Sequence, residues 1–566
     1  AGLSYQILDW LNVAGRVRID NTHSEYEGKL YASSSNTLTD GSSQGHYTVN
    51  NGQYSQTYAD VLVNINKRIQ DFTIVANIGA SYSGVTSKEL GYAGPIRETG
   101  IPNLFNVYDL DNAKKRATQV GWREATESIF ASAEVGWKSM LYLTVTGRND
   151  WASQLTHSPQ ASFFYPSVGL SAVITEMLKL PDWVDYLKVR GAFSSVGNPY
   201  PRFLTYPTYS YDANKQDWKS QTNYPIGKLY PERTDSWEIG LDATLFKDFK
   251  LSGSFYYANT YNQTFDPRLP VSSGYDKLYV QTGYVRNYGF EAMLSYGHRW
   301  GDFSWDSSFT FSANKNEIVE LVKDYVHPET GKTYNVDKLE LKTDEGRGFG
   351  KAKFILKEGG TLGDLYTHAD LKRDINGNIL IDDSGNVTAI DNAGDIKLGS
   401  VLPKANLAWN NSFSYKGINA GFLLTARLGG IVYSATQAYL DLYGVSETSA
   451  AARDAGGVWI NGRSRVNPQS FYEVVASQSG LPTYYTYSAT NLRLQEAHIG
   501  YTVPRRWLGN VCDINVSLVG RNLWMIYCKA PFDPEAVATT NNYYQGIDYF
   551  MMPSTRNIGF NIKINF

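Results

Sequence analysis

The sequence predicts an all-β protein, an antiparallel transmembrane β-barrel, on three observations. Segments in which apolar and polar residues alternate recur along the whole chain of 566 residues, and a period of two is that of a β-strand. Short and long connections between these segments alternate, as the short periplasmic turns and long extracellular loops of bacterial barrels do. No run of about 18 apolar residues occurs, which excludes membrane-spanning helices.

The terminal segment Arg556–Phe566 shows the alternation most clearly. One face carries Ile558, Phe560, Ile562, Ile564 and Phe566, whereas the residues between them are Gly, Asn and Lys. The last strand of an outer-membrane barrel commonly ends on an aromatic residue at the membrane interface. We therefore expect this segment to be the closing strand and Phe566 to be a barrel assembly signal.

The composition supports a barrel and argues against several other classes. Aromatic residues make up 14% of the chain and include 42 tyrosines, which suits strands with interfacial girdles. The net charge of −3 makes nucleic acid a poor partner. The mean hydropathy of −0.35 fits a barrel with a polar lumen. Cys512 and Cys528 fall at opposite ends of one predicted strand, about 50 Å apart and beyond disulfide reach.

Taken in order, the chain contains about sixteen strands. Ala1 to Leu8 reads as the tail of a strand, and a long segment from Leu11 to Ala32 follows. The predicted hairpins are about 53–68 with 72–82, 119–137 with 139–150, 162–177 with 185–197, 230–246 with 249–262, 280–299 with 302–318, 403–415 with 418–430, and 488–503 with 511–527. The long connections, expected to be extracellular, are about 83–116, 198–229, 319–402, 431–487 and 528–555.

Aromatic residues in three long connections are the substrate-binding candidates. They are Tyr209, Tyr211 and Trp218 in the first, Tyr484 and Tyr485 in the second, and Tyr543 and Tyr544 in the third, with Arg463 as a charged neighbour. Aromatic faces stack on sugar rings or clamp peptide side chains, while nearby polar groups supply hydrogen bonds. The alternative is that these rings form the rim girdle and pack the loops, and that Arg463 is a solvated loop charge.

One connection also suggests a cation site, and nothing in the chain suggests catalysis. Asp374, Asn376 and Asp382 could offer oxygen ligands to a Ca²⁺ or Mg²⁺ ion, but their runs lack the Gly and Glu positions of an EF-hand. Hairpin turns built on Asn-Gly and Ser-Gly are the favoured interpretation. The seven histidines are scattered without metal-ligand spacing. We therefore expect neither an enzyme nor a cofactor.

Several motifs follow one another in a fixed order over about residues 120–566. They are Arg148–Trp151, Phe164–Leu170, Leu187–Asn198, Tyr230–Leu241, Asn491–Leu494, Ile499–Pro504, Gly520–Leu523 and Asp533–Glu535. Together they resemble the motifs of the SusC-like TonB-dependent outer-membrane transporters. The stretch Tyr230–Leu241 is similar to a "PE.T..WE.GLD" pattern common in TonB-dependent receptors. Each match is weak alone, and their number and order make the resemblance specific.

The resemblance implies a roughly 22-stranded barrel with a plug, of which this chain would supply the C-terminal part without the plug. We expect its first and last strands not to pair with each other. The resemblance also implies import of oligosaccharides or oligopeptides across the outer membrane of a Gram-negative, Bacteroidota-like bacterium, with its lipid and lipopolysaccharide. The implied partners are a SusD-like surface lipoprotein, TonB–ExbB–ExbD acting through the missing plug region, and a second transporter–lipoprotein pair. The alternative is a passive porin, either general or substrate-selective.

Overall fold

The computed structural model describes residues 1–566 except 205–208, 213–216, 220–222, 225–228, 266–276, 279, 327–330, 332, 342–349, 510, 539–544 and 566. Seventeen strands form one sheet in which each strand pairs with the next along the chain. They are β1 (Gly2–Leu8), β2 (Leu11–Tyr31), β3 (Gly45–Ile69), β4 (Phe72–Pro95), β5 (Arg116–Trp137), β6 (Leu141–Ala152), β7 (Ser162–Val173), β8 (Val184–Asn198), β9 (Glu232–Leu245), β10 (Phe249–Phe265), β11 (Val280–Trp300), β12 (Phe303–Glu320), β13 (Ala405–Tyr415), β14 (Ile418–Leu428), β15 (Asn491–Val503), β16 (Asp513–Cys528) and β17 (Asn557–Asn565). The all-β antiparallel fold class is confirmed.

The two faces of the sheet differ in polarity, as the alternation predicts. In β3 to β5, Val61 lies opposite Ala80, which lies opposite Ile129. Val61 and Ile129 expose more than half of their surface. On the other face, Asp60 lies opposite Ser81, and its buried carboxylate accepts a hydrogen bond from Arg16 Nε at 3.0 Å. One face is therefore apolar and exposed, whereas the other is polar.

Two strands are longer than the sequence predicted. β3 begins at Gly45 and β4 continues to Pro95, so that the connection before β5 starts well after the expected position 83. The two strands pair without a register shift from His46–Pro95 to Ile69–Phe72. The parts that the sequence did not predict, 45–52 and 83–95, are rich in Ser, Thr, Gly and Tyr. They escaped prediction because apolar alternation marks a strand only where one of its faces meets an apolar environment.

The strands at the two ends of the pairing order each have one neighbour within the described residues. β1 pairs with β2, and β17 pairs with β16. The expectation that the first and last strands do not pair with each other stays a prediction. β1 itself accounts for the one strand beyond the sixteen that were counted.

Smaller elements lie in the connections. The short strands are Ser210–Asp212, Asp217–Lys219, Asn223–Tyr224, Lys277–Leu278, Val322–Val326, Thr333–Val336, Lys338–Leu341, Ala352–Lys357, Asp364–Thr367, Asp370–Leu371, Ala389–Ile390, Ile396–Ser400, Ile431–Ser434, Val458–Ile460, Ser464–Val466, Thr486–Ser488 and Ile547–Asp548. The helices are α1 (Ile174–Met177), α2 (Ala435–Leu442), α3 (Glu447–Asp454) and α4 (Pro468–Val475), with 3₁₀ turns at Val107–Asp109, Ser153–Leu155, Ser477–Ser479 and Arg505–Leu508. Among the described residues, no helix has the length and apolar content needed to cross a membrane.

The chain divides into two compact units. The first comprises Ala1–Leu170, Ala192–Asp235 and Thr264–Gln281, and the second comprises Ser171–Gly191, Ser236–Gln263 and Thr282–Phe566. The second unit contains what we call the loop assembly, formed by the described residues of the connections 321–404, 429–490 and 529–556. Two apolar clusters hold the loop assembly together, one around Phe354, Tyr433 and Tyr485 and the other around Phe471 and Val475. These connections therefore form a folded layer with its own core.

Candidate functional site

Tyr211 and Trp218 form an exposed aromatic pair in the first unit. The strands Ser210–Asp212 and Asp217–Lys219 pair antiparallel, with Tyr211 directly opposite Trp218. Directly opposite side chains lie on the same face of a strand pair, and the two ring centroids are 5.2 Å apart at an interplanar angle of 60°. The rings are 53% and 65% exposed, and the nearby Tyr209 is 66% exposed. The three sequence candidates in this connection are thus exposed, and their role in substrate binding stays a prediction.

A charged and aromatic contact fixes the beginning of the same connection to β5. The Arg202 guanidinium carbon lies 3.5 Å from the centroid of the Trp122 ring. Arg202 Nη1 donates to Glu124 Oε2 at 2.8 Å, and Gln154 Nε2 donates to the same oxygen at 3.1 Å. Our sequence reasoning missed this cluster. The sequence feature that could have indicated this cluster is the two-residue spacing of Trp122 and Glu124, which places both side chains on one face of a strand.

Tyr485 is a core residue of the loop assembly. Its side chain is 2% exposed, and its hydroxyl donates to Asp441 Oδ2 at 3.0 Å. Burial raises the pKa of this hydroxyl, and the neighbouring carboxylate raises it further. Tyr484 is partly buried against both apolar clusters, with its ring centroid 6.1 Å from that of Phe471. For these two tyrosines the loop-packing alternative describes the structure, and the ring of Tyr485 offers no stacking surface.

Arg463 belongs to a short hairpin of the second unit. Arg463 is exposed on the turn between the strands Val458–Ile460 and Ser464–Val466, where its backbone N–H donates to Ile460 O at 3.1 Å. Tyr543 and Tyr544 lie outside the described residues, as does Phe566. Their predicted roles stay predictions.

The two acidic candidates for a cation site form hairpin turns. Asp374 Oδ1 accepts the backbone N–H groups of Asn376 and Asn378, at 2.9 and 2.8 Å. Asp382 Oδ1 accepts those of Ser384 and Asn386 at 2.9 and 2.8 Å. These side chains satisfy their own turns. In the part of the chain that the structure describes, no group of three or more His, Cys, Asp or Glu side chains is placed to hold a metal ion.

Two of the sequence motifs contact each other where the loop assembly meets β15. Arg493 Nη1 and Nη2 donate to Asp533 Oδ2 and Oδ1 at 3.1 and 2.8 Å, and Arg493 Nη2 lies 3.3 Å from Glu535 Oε2. Asn491 Nδ2 donates to Glu535 Oε1 at 3.1 Å. The side chains of Arg493 and Asp533 are 8% and 11% exposed. This bidentate pair ties the last long connection to the first residues of β15.

A polar row crosses one face of the sheet in the second unit. Glu291 lies opposite Ser312, Ser312 opposite Asn406, and Asn406 opposite Arg427. Because neighbouring strands are about 4.8 Å apart, the carboxylate end and the guanidinium end of the row are about 14 Å apart. All four residues line a cavity of about 840 Å³. The intervening residues of the same strands, such as Leu407 and Phe311, fall on the opposite face.

Comparison with known proteins agrees with this architecture. The family described as TonB dependent receptor-like, beta-barrel, matches residues 1–523. TonB-dependent receptor P3 of Formosa agariphila is 24% identical over 524 residues, which cover 86% of this chain and 50% of the relative. TonB-dependent receptor SusC of Bacteroides thetaiotaomicron is 24% identical over 433 residues, covering 70% of this chain and 40% of the relative.

Solved structures show the same fold at lower sequence identity. The RagAB peptide transporter superposes with a TM-score of 0.74 at 17% identity, over 100% of this chain and 61% of that chain. The RagAB peptide importer in its "open-open" state gives a TM-score of 0.71. The chain thus spans about half the length of the curated relatives it matches. The chain belongs to the TonB dependent receptor-like β-barrel family.

Proposed function

We propose that this chain is the barrel part of a TonB-dependent outer-membrane importer for oligosaccharides or oligopeptides. The observation that carries the proposal is the polarity of the two sheet faces. In the first unit one face exposes Val61 and Ile129, whereas the other carries Asp60. In the second unit the row from Glu291 to Arg427 lies on the face opposite that of Phe311 and Leu407. A lipid-facing wall around a hydrated interior requires this division. Family membership then favours import driven by the proton gradient through TonB.

The aromatic pair Tyr211–Trp218 is the proposed capture surface for cargo. Exposed aromatic faces gain free energy by stacking on sugar rings or on peptide side chains. Both cargo classes fit this surface. Peptide is included as a candidate cargo because the similar RagAB structures are described as a peptide transporter and a peptide importer. In the proposed orientation the short turns face the periplasm and the long connections face outwards. The loop assembly would then meet a SusD-like lipoprotein, with two such pairs forming the dimer.

Uptake of labelled cargo tests the proposal. The complete polypeptide that contains this chain is produced in a Bacteroidota host, and uptake of fluorescent oligosaccharide and oligopeptide mixtures is measured with and without a proton uncoupler. We expect the uncoupler to abolish uptake of one cargo class. Uptake that continues after the proton gradient is dissipated would support the passive porin instead.

A matched pair of variants tests the capture surface. We expect Trp218→Ala to lower cargo affinity about 2- to 13-fold, since one stacking contact contributes about 0.5–1.5 kcal/mol. Trp459→Ala is the control, because Trp459 is also exposed, at 55%, but lies on a separate hairpin under the Arg465 guanidinium. An equal loss in both variants would contradict a role specific to the pair.

A further inference from the structure

The connection between β15 and β16 exposes apolar side chains at the short-turn end of the sheet. Residues 504–512 contain the 3₁₀ turn Arg505–Leu508, whereas β3–β4 and β13–β14 are joined by two residues each. Trp507 and Val511 are both 63% exposed. This connection therefore presents more apolar surface than a minimal hairpin turn needs.

The same connection lies directly beyond the apolar face of its two strands. Ile499 lies opposite Leu518, and Tyr501 lies opposite Val516. The four side chains are between 37% and 57% exposed, as residues that face lipid would be in the isolated chain. Trp507 follows the end of this face, at the level where barrels place their interfacial aromatic residues.

Two arginines of the same connection accompany this apolar surface. Arg505 and Arg506 are both exposed, and Arg505 Nη2 makes one long hydrogen bond, to Val511 O at 3.4 Å. Within the described residues, neither guanidinium has a carboxylate partner. A guanidinium presents a planar fork of N–H donors that matches the oxygens of a phosphate. An indole ring beside it suits the boundary between headgroups and acyl chains.

We propose that the Arg505–Arg506–Trp507 turn binds the headgroup of an anionic phospholipid in the leaflet at the short-turn end. The guanidinium groups contact the phosphate, while Trp507 and Val511 enter the acyl-chain boundary. The site rests on the membrane location contained in the proposed function, and it is independent of cargo. It would tether the barrel at a defined depth and rotation next to β15 and β16.

The connection between β7 and β8 provides an internal control. It contains α1 and exposes Met177 and Leu178, at 43% and 61%. Its charges are Glu176, Lys179 and Asp182, which sum to −1. This turn has comparable apolar exposure without a positive charge excess, and we expect no preference for anionic headgroups there.

Lipid retention in native mass spectrometry tests the proposal. The complete polypeptide is purified in detergent and incubated with phosphatidylglycerol, with phosphatidylcholine or with inorganic phosphate. Each arginine near an anionic surface contributes about a fivefold preference, so we expect phosphatidylglycerol to be retained about 25-fold over phosphatidylcholine. The double variant Arg505→Ser/Arg506→Ser should lose this preference, and the control Leu178→Ser/Lys179→Ser should keep it.

Two outcomes would overturn the site, and a third measurement separates it from the proposed function. The site is wrong if the arginine double variant keeps the full preference, or if inorganic phosphate displaces the lipid at equal concentration. The variant Arg505→Lys/Arg506→Lys keeps the charge and should retain part of the preference. Flotation with vesicles checks membrane insertion for every variant. If every protein floats with the vesicles but the wild type shows no preference for phosphatidylglycerol, the lipid site is rejected and the membrane location stands. If no protein floats, the membrane location itself is rejected.

Discussion

The exposed pair Tyr211–Trp218 and the buried Tyr485 came from one signal, aromatic residues clustered in a long connection, yet they lie in opposite environments. Trp218 is 65% exposed, whereas Tyr485 is 2% exposed. The connection of Tyr485 brings its own apolar partners, since α2 and the residue after α4 place Ala438 and Ala476 in the same buried cluster as its ring. An aromatic loop residue stays exposed only where its connection supplies no core to enclose it.

The largest effect that sharpens this comparison is expected from Tyr485→Ala. Removing a buried aromatic side chain leaves a cavity and should destabilise the loop assembly by about 3–5 kcal/mol. Tyr485→Phe removes only the hydrogen bond to Asp441 and should cost about 1–2 kcal/mol. Hydrogen exchange in 431–487 measures both changes. Unchanged exchange in Tyr485→Ala would show that Tyr485 is not part of a cooperative core.

Gly480→Ala should disturb the same core by adding atoms rather than removing them. Gly480 has φ +92°, and a Cβ there would lie 2.5 Å from Tyr485 Cδ2 and 2.7 Å from Ala438 Cβ. Overpacking together with left-handed strain should cost about 2–3 kcal/mol. The control is Gly462→Ala, at φ +66° with no heavy atom within 4 Å, which should cost about 1 kcal/mol from strain alone. Equal amide hydrogen-exchange rates in Gly480→Ala and Gly462→Ala would show that close packing against Tyr485 does not add to the cost.

The sequence predicts the strands well where one face is apolar, and poorly elsewhere. The Arg556–Phe566 alternation corresponds to β17, and the pairs from 119 to 318 correspond to β5 through β12. The outer halves of β3 and β4 escaped prediction because backbone hydrogen bonds hold them without an apolar side. The loop assembly escaped because its contacts are distant in sequence. Ser434 Oγ, for example, donates to Asp548 Oδ2 across 114 positions at 2.6 Å.

The candidate site was likewise predictable only where its contacts are local in the sequence. Tyr211 and Trp218 fall in one connection, and their pairing needs only a short hairpin. The burial of Tyr485 depends on α2, on α4 and on a strand from another connection, which a local pattern does not contain. The contact of Arg493 with Asp533 likewise joins two motifs that looked independent in the sequence.

A smaller, pH-dependent effect concerns the sheet of the loop assembly. Asp395 accepts hydrogen bonds from Lys338 Nζ and Lys357 Nζ, both at 2.7 Å, and from His368 Nε2 at 2.9 Å. The two lysines hold the pKa of the Asp395 carboxyl well below its usual range. A depressed carboxyl pKa adds stability above the unfolded-state pKa, near 4, and this stability is lost as the pH falls below it.

Because it is partly exposed, the hydrogen-bonded network around Asp395 should contribute about 1 kcal/mol to the free energy of unfolding after solvent screening. Protease resistance of the loop assembly should therefore fall between about pH 4 and pH 2 in the wild type. Asp395→Asn should already be weaker at pH 7 and should show a flatter profile. A wild-type profile equally flat over this range would exclude Asp395 as the source.

The smallest effect on stability is expected from Trp218→Ala. Its side chain is mostly exposed and contacts Tyr211 at the surface of a short hairpin, so the free energy of unfolding should change by no more than about 0.5 kcal/mol. If the pair captures cargo, the same variant lowers cargo affinity with folding unchanged, whereas Tyr485→Ala lowers stability and affects cargo only through the loop assembly. Measured on both variants, thermal unfolding should therefore change mainly in Tyr485→Ala, and direct cargo binding mainly in Trp218→Ala. A large loss of stability in Trp218→Ala would mean that its ring packs like Tyr485, and the distinction between capture surface and core would fail.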